Sequence, residues 1–374
     1  MPALRPDVDP DGLLEYSVVY TDRALNHMSA RFQGVMRDLS DLLCRVYQAD
    51  QAVVVPGSGT FGMEAVARQF ASGRPALVVR NGWFSYRWSQ IFDMGSIPSV
   101  HEVCKARRTG AGPQAPFEPA PLDEVIAAIE RLRPAVVCAP HVETASGLLL
   151  GDDYLRRLAE ATHAVGGLLV LDCIASGCLW VDMRALGVDV LVTAPQKGWS
   201  GSPGCAFVML SARAIEAMAG TTSSSFACDL KKWSQIMEAY RAGGHAYHAT
   251  MPTDSLAHNR DVMRECEVIG FERLQDAQRT LGRAVRTLLV ERGFPSVAAA
   301  GWQAPGVVVS YTQDPEIQSA RAFAPLGLQT AAGVPLQCDE GPDFRTFRLG
   351  LFGLDKLRDV DGTVGRLRAA LDRL

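Results

Sequence analysis

From about residue 50 to 210, short apolar runs alternate with segments of helical period. The runs "AVVVP" from Ala52, "ALVVR" from Ala76, "AVVCA" from Ala135, "LLVLD" from Leu168, "DVLVT" from Asp189 and "CAFVML" from Cys205 are aliphatic and too short for helices. They predict buried strands. Between them, "PLDEVIAAIERLRP" and "DDYLRRLAEATHAVGG" repeat apolar residues every three or four positions, with Pro or Gly near the ends. Strands without strict alternation, separated by helices, predict a mostly parallel sheet sandwiched by helices.

Near Leu256 the pattern changes. "LAHNRDVMRECEVIGFERLQDAQRTLGRAVRTLLVERG" predicts a long, nearly continuous helical stretch that hinges a smaller unit. After it come the strand-like "GVVVSY" and "FRLGLFG" and a closing helix, "DVDGTVGRLRAALDRL". The expected division is an N-terminal segment over 1–20, a large α/β domain over 21–258 and a small C-terminal α+β domain over 259–374. A chain of 374 residues is long enough for both cores.

Charge and cysteine content narrow the partners. Lys+Arg 37 against Asp+Glu 41 leaves a formal net charge of -4, which gives no electrostatic attraction to nucleic acid or anionic membrane. No apolar run reaches the roughly 20 residues that span a bilayer. The start, "MPALRPDVDPDG", lacks the basic and apolar regions of a secretory signal. The 9 cysteines are scattered, odd in number and without a C-x-x-C pair, so a disulfide framework is not expected and the location expected is cytoplasmic. No H-E-x-x-H or similar cluster predicts a metal.

"VVVPGSGTFGMEAVARQF" from Val53 holds Gly57, Gly59 and Gly62 in the G-x-G-x-x-G spacing, between a predicted strand and a helix beginning near Met63. Free N–H groups and the dipole at that helix start favour a phosphate, and Ser58 and Thr60 add hydroxyls. A dinucleotide site also needs an acid about 20 residues on. Here "ALVVR" ends in Arg80 and Asn81, which leaves only an NADP-type variant. On the loop alone a dinucleotide, another phosphate-bearing cofactor and a tight turn all stay open.

Asp172 and Lys197 carry more information. "LLVLDCIASG" ends a strand in Asp172, and "DVLVTAPQKGWSGSPG" presents Lys197 just after the next one. Each alone is ordinary, as a helix cap and a surface lysine. Together they leave successive strand ends, at the edge where open α/β sheets bind ligands. A desolvated lysine there suits Schiff-base chemistry, and an acid facing a pyridine nitrogen is the second requirement of pyridoxal phosphate catalysis.

With these residues in place the chain resembles the class V aminotransferases of fold-type I pyridoxal phosphate enzymes. Alanine–glyoxylate, serine–pyruvate and 2-aminoethylphosphonate–pyruvate members are nearest in pattern, and the likeness runs from about residue 20 to 360. The resemblance implies pyridoxal 5′-phosphate as cofactor and a homodimer with shared active sites. It implies that Ser58, Gly59 and Thr60 of "GSGTFGMEA" cradle the cofactor phosphate. Phe84 of "NGWFSYR" would stack on the ring, with Trp83 as the competitor. Thr144 of "HVETASG" would lie near the ring hydroxyl and Asp172 on the ring nitrogen. In "APQKG", Gln196 would contact the cofactor and Lys197 would form the Schiff base. Tyr247 and Thr250 of "YHATMPT" would reach the phosphate from a second subunit, and Arg348 of "FRLGLFG" would hold the substrate carboxylate.

The departures touch the substrate. In place of the family's P-G-P-type turn stands "EYSVVYTDRALNHMS", with Tyr16, Ser17 and Tyr20 as candidate pocket walls, and Pro195 replaces a frequent Ser or Thr before Q-K. The expected reaction moves an amino group from an alanine- or serine-like donor to pyruvate or glyoxylate, with aminophosphonates and other ω-amines open. The rival with the same cofactor is a class V lyase of desulfurase or β-elimination type. Gln196 stands where a desulfurase has His, and Cys338 is its late-loop cysteine candidate. More distant are an NADP-dependent oxidoreductase on Gly57–Gly62 and Arg80, and a binding protein that keeps the fold without catalysis.

Overall fold

The computed structural model describes residues 13–374, so the opening of the segment expected over 1–20 lies outside the described residues. Among the described residues, regular structure begins with α1 (Ala30–Tyr47), capped by the Ser29 hydroxyl accepting from Phe32 N. Phe32, Val35, Met36, Leu39 and Leu43 repeat every three or four residues and are buried.

Every apolar run named above becomes a strand. In chain order these and their neighbours are β1 (Gln51–Pro56), β2 (Ala76–Arg80), β3 (His101–Lys105), the short pair β4 (Arg107–Arg108) and β5 (Phe117–Glu118), β6 (Val136–Pro140), β7 (Leu168–Asp172), β8 (Val190–Thr193) and β9 (Cys205–Leu210). The main sheet has the order β1-β9-β8-β7-β6-β2-β3. Neighbours from β8 through β3 are parallel, whereas β9 runs antiparallel to both β8 and β1. The carboxyl ends of all strands but β9 therefore share one edge. β3 carries His, Glu and Lys rather than an apolar run, and it is only half-buried at the sheet's rim.

This order removes the dinucleotide reading. That fold needs its first strand inside a parallel sheet, but β1 is an edge strand bonded to β9 alone. Helix α2 (Gly59–Phe70) starts a turn earlier than expected, inside the glycine run. Gly62 serves packing: a Cβ there would lie 2.6 Å from the Ala206 Cβ on β9. Arg80 is buried, with Nη2 donating to Ser89 Oγ at 2.8 Å and Nη1 to the Gln337 carbonyl at 3.2 Å. It is committed to holding the structure together rather than offered to a ribose phosphate.

Helices α3 (Trp83–Gly95), α4 (Leu122–Leu132) and α5 (Asp152–Ala164) complete the flanking layers around the strands, the last two where periodicity placed them. The long helical stretch is two helices, Thr253–Ile269 and Phe271–Glu291, broken at Gly270 where φ is +100°. The expected 258/259 boundary lies within the first of them. Beyond them β10 (Val307–Tyr311), β11 (Ala331–Ala332) and β12 (Thr346–Gly350) form an antiparallel sheet with β12 in the middle, and Val360–Leu371 closes the chain as a helix. One apolar core runs from the main sheet to Leu281, Leu289 and Phe347, and a second gathers Phe117, Tyr311 and Phe344. No helix among the described residues is long and apolar enough to cross a membrane.

The connection from β8 to β9 passes hard against the loop leaving β7. A Cβ at Gly198 would lie 2.2 Å from the Gly177 carbonyl oxygen, a backbone atom with no rotamer to yield. Gly198→Ala is expected to cost about 1–3 kcal/mol of stability, the usual penalty of overpacking; a urea unfolding midpoint equal to that of the unaltered chain would refute this.

Candidate active site

The shared carboxyl edge holds a cleft. Its floor and walls include Ser58, Gly59 and Thr60 at the start of α2, Phe84 and Arg87 on α3, Thr144 after β6, Asp172 at the end of β7, and Gln196 and Lys197 after β8. Eight residues singled out in the sequence thus meet in one place, delivered there because parallel strands end together. Asp172 and Lys197 are brought close by register: β7 and β8 are adjacent, with Asp172 opposite Val192.

At the α2 end, the Ser58 hydroxyl makes no cap bond to the helix, so it and the first N–H groups remain available to an anion. At the other end, Asp172 is 7% exposed and accepts a hydrogen bond from Ile174 N at 2.9 Å. Burial pushes its carboxyl up to about 6, against the pull of that N–H and of Lys197. The Lys197 amine is pushed below its ordinary value, chiefly by burial, with Asp172 and Glu143 opposing. Its Nζ lies 5.8 Å from the Phe84 ring centre and 5.9 Å from that of Phe352. A lysine in this setting gives up its proton more easily than an exposed one, which favours nucleophilic chemistry.

Arg348 reaches the same aromatic from the small sheet. It sits on β12, its Nε donates to the Ala332 carbonyl at 2.8 Å, and its guanidinium carbon lies 5.4 Å from the Phe84 ring centre. Burial lowers its pKa, and the Glu143 carboxylate acts in the opposite sense. Phe84, not Trp83, lines the cleft; Trp83 packs against Tyr86 with ring centres 5.6 Å apart.

Five singled-out residues, Tyr16, Ser17, Tyr20, Tyr247 and Thr250, do not line the cleft of the single chain. Tyr247 and Thr250 are exposed and bond each other, hydroxyl to hydroxyl, at 3.1 Å. Tyr16 is 87% exposed. The Ser17 hydroxyl accepts from Asn26 Nδ2 and from Tyr20 N, both at 3.2 Å, and so is spent on its own segment. Tyr20, the third candidate wall, donates its hydroxyl to the Met251 carbonyl at 3.3 Å.

Two residues of the site escaped the sequence analysis. Glu143 is fully buried, and its carboxylate accepts from Phe84 N at 3.2 Å, Ser85 N at 2.8 Å, Ser85 Oγ at 2.7 Å and Ala145 N at 2.9 Å. It anchors the start of α3, as a carboxylate at a helix N-terminus does, and so sets where Phe84 stands. Its only signal was an acid inside "HVETASG". Arg87 follows Phe84 by three positions, which on a helix places both on one face. Cys338, by contrast, is buried with its thiol 3.4 Å from the Arg80 carbonyl, and burial raises it to about 12. Such a thiol is inert at neutral pH.

The donor set fits pyridoxal phosphate: an anion cradle at a helix start, an amine inclined to neutrality, and a buried carboxylate that needs a cationic N–H to be ionised comfortably.

A 2-aminoethylphosphonate–pyruvate transaminase of Paraburkholderia phymatum is 29% identical over 352 residues, covering 92% of this chain and 89% of its own. A protein of Synechococcus sp. named soluble hydrogenase, small subunit, is 25% identical over 353 residues, covering 94% of this chain and 88% of its own. The crystal structure of a Thermus thermophilus aspartate aminotransferase of subgroup IV superposes with a TM-score of 0.76 at 26% identity, over 94% of this chain and 93% of that one. The family profile described as aminotransferase class-V matches residues 13–309, and the chain belongs to the class-V aminotransferase family.

Proposed function

We propose that this chain binds pyridoxal 5′-phosphate and transfers an amino group from a small amino acid of the alanine or serine kind to a small 2-oxo acid, pyruvate or glyoxylate. The observation that carries it is the meeting of Lys197 and Asp172 in one cleft with the anion cradle of α2. The transaminase names of relatives across the whole chain support it.

When bound, the cofactor supplies an electron sink for the carbanion left when a substrate Cα loses its proton. Ser58, Gly59 and Thr60 would hold its phosphate, Thr144 and Gln196 its ring substituents, and Lys197 its covalent attachment. Asp172 would hold a proton on the ring nitrogen by pairing with it, which would also relieve the cost of its own burial. Lys197 Nζ, inclined to neutrality by desolvation, takes the Cα proton and later returns one, as base and then acid. Arg348 keeps the Nη groups of its guanidinium for the substrate carboxylate, a bidentate grip that fixes which Cα bond faces the lysine. Phe84 and Phe352 keep water from the lysine.

A homodimer is part of the proposal. Tyr247 and Thr250 stand exposed and do not line their own cleft, as residues that serve the phosphate of a second copy would. A cytoplasmic location is proposed from the scattered cysteines, all of them free.

The direct test is the visible spectrum of the purified protein with the cofactor, before and after single amino acids are added without an acceptor. A yellow band that L-alanine or L-serine bleaches, and that Lys197→Ala lacks, is the expected result. Release of ammonia or sulfide instead would assign a lyase, and a protein that the cofactor cannot colour would remove the proposal.

A second test uses cofactor removal. Because the folded-state pKa of Asp172 is raised from 3.8 to about 6, the cofactor-free protein binds more protons folded than unfolded between those values. Its contribution is intact below pH 4 and is lost as pH rises through 6, a decline of about 3 kcal/mol. Urea unfolding of cofactor-free Asp172→Asn should lack this decline and leave it the more stable protein at pH 7. Equal profiles for the two would contradict the burial argument.

A further inference from the structure

Arg87 has no part in the chemistry above, yet its surroundings ask for an anion. It lines the cleft, and among the described residues it forms no ion pair with a carboxylate. Its Nη1 donates to Thr60 Oγ1 at 3.0 Å, and its guanidinium carbon lies 5.3 Å from the Phe84 ring centre. Around it stand Lys197 and Arg348 as further cations, against Asp172 and Glu143 as acids.

The direction of the hydrogen bond matters. A guanidinium has donors only. Thr60 Oγ1 therefore accepts from Arg87, and the threonine's own hydrogen is left to point elsewhere. Thr60 belongs to the first turn of α2, beside the Ser58 hydroxyl and the free N–H groups of that helix. A hydroxyl that is already accepting from a cation is also a stronger donor, since such bonds polarise one another.

We propose that Arg87 is a positioning residue for the phosphate of the cofactor: it locks the Thr60 hydroxyl as a donor toward that phosphate and backs it with a fixed positive charge. This rests on the pyridoxal phosphate reading and deepens it. The phosphate is the chosen anion, rather than a substrate carboxylate, because the arginine's hydrogen bond goes to the helix-start threonine. The carboxylate is assigned to Arg348. Sequence alone could not pair the two residues, which lie on different helices, α2 and α3.

The test compares equilibrium binding of pyridoxal 5′-phosphate and of pyridoxal, which lacks the phosphate, by absorbance and fluorescence. The proteins are the unaltered chain, Arg87→Met, Arg87→Lys, Thr60→Val and the Arg87→Met/Thr60→Val double variant. Loss of a charge-assisted bond predicts that Arg87→Met weakens pyridoxal phosphate by about tenfold or more. Pyridoxal affinity should stay within about twofold, which also certifies the fold, and Arg87→Lys should recover part of the loss. In the Thr60→Val background Arg87→Met should cost clearly less, because the route through the hydroxyl is gone. Equal weakening of both ligands would mean that Arg87 acts by packing on Phe84, and would overturn the proposal. So would an unchanged affinity for pyridoxal phosphate, or an equal cost with and without Thr60. If the unaltered chain binds neither compound, the cofactor reading itself fails and this inference with it. If it binds the phosphate form and Arg87→Met matches it, only the arginine's role falls.

Discussion

Removing an acid and an amine from water at neighbouring strand ends is the constraint on which the cleft depends. Asp172 and Lys197 are each driven toward their uncharged forms by burial, and each is the other's partial remedy. Such a pair is expensive to keep in a core. It is tolerable here because β7 and β8 are parallel neighbours, so both groups emerge at the one edge where a cleft can form. The tight crossing of Gly198 under Gly177 holds the lysine loop in that place.

Phe84 is the second organising point. Lys197, Arg348 and Arg87 arrive from three different parts of the chain, with their charged ends 5.8, 5.4 and 5.3 Å from its ring centre. An aromatic face attracts cations without neutralising them, so the two arginines remain available to anions. The ring's position is imposed from below by Glu143, which satisfies the N–H groups of Phe84 and Ser85 at the start of α3. A buried carboxylate with four donors is a rigid support, and it offsets the cations crowded above it.

Family membership and geometry bear on different questions. The whole-chain likeness to transaminases speaks to the class of reaction, while the geometry speaks to which side chains meet in the cleft. Tyr20, His245 and Tyr247 gather around the ring of His27, with centres 5.5 to 5.8 Å from it. Tyr20 and Tyr247, two of the candidates that do not line the cleft of the single chain, thus meet around one histidine.

Much of the fold was legible because burial leaves a local trace. Aliphatic runs such as "LLVLD" and "CAFVML" read as strands since nothing else buries so short a run on both faces, and "DDYLRRLAEATHA" read as a helix from its spacing. The order of the motifs also carried the resemblance to the class-V aminotransferases, which the matched family profile bears out, because several short motifs in register are hard to meet by chance. Local pattern could not supply strand order. β1 was legible as a strand, but its place at the sheet edge, antiparallel to β9, was decided by long-range pairing, and with it the meaning of the glycine run. β3 left no apolar run because an edge strand need not be buried. Arg87 with Thr60, Glu143 with Phe84 and Arg348 with Phe84 are contacts across 27, 59 and 264 positions; sequence periodicity reports only which face of one element is buried, whereas these meetings exist only once the sheet brings separate elements to one edge.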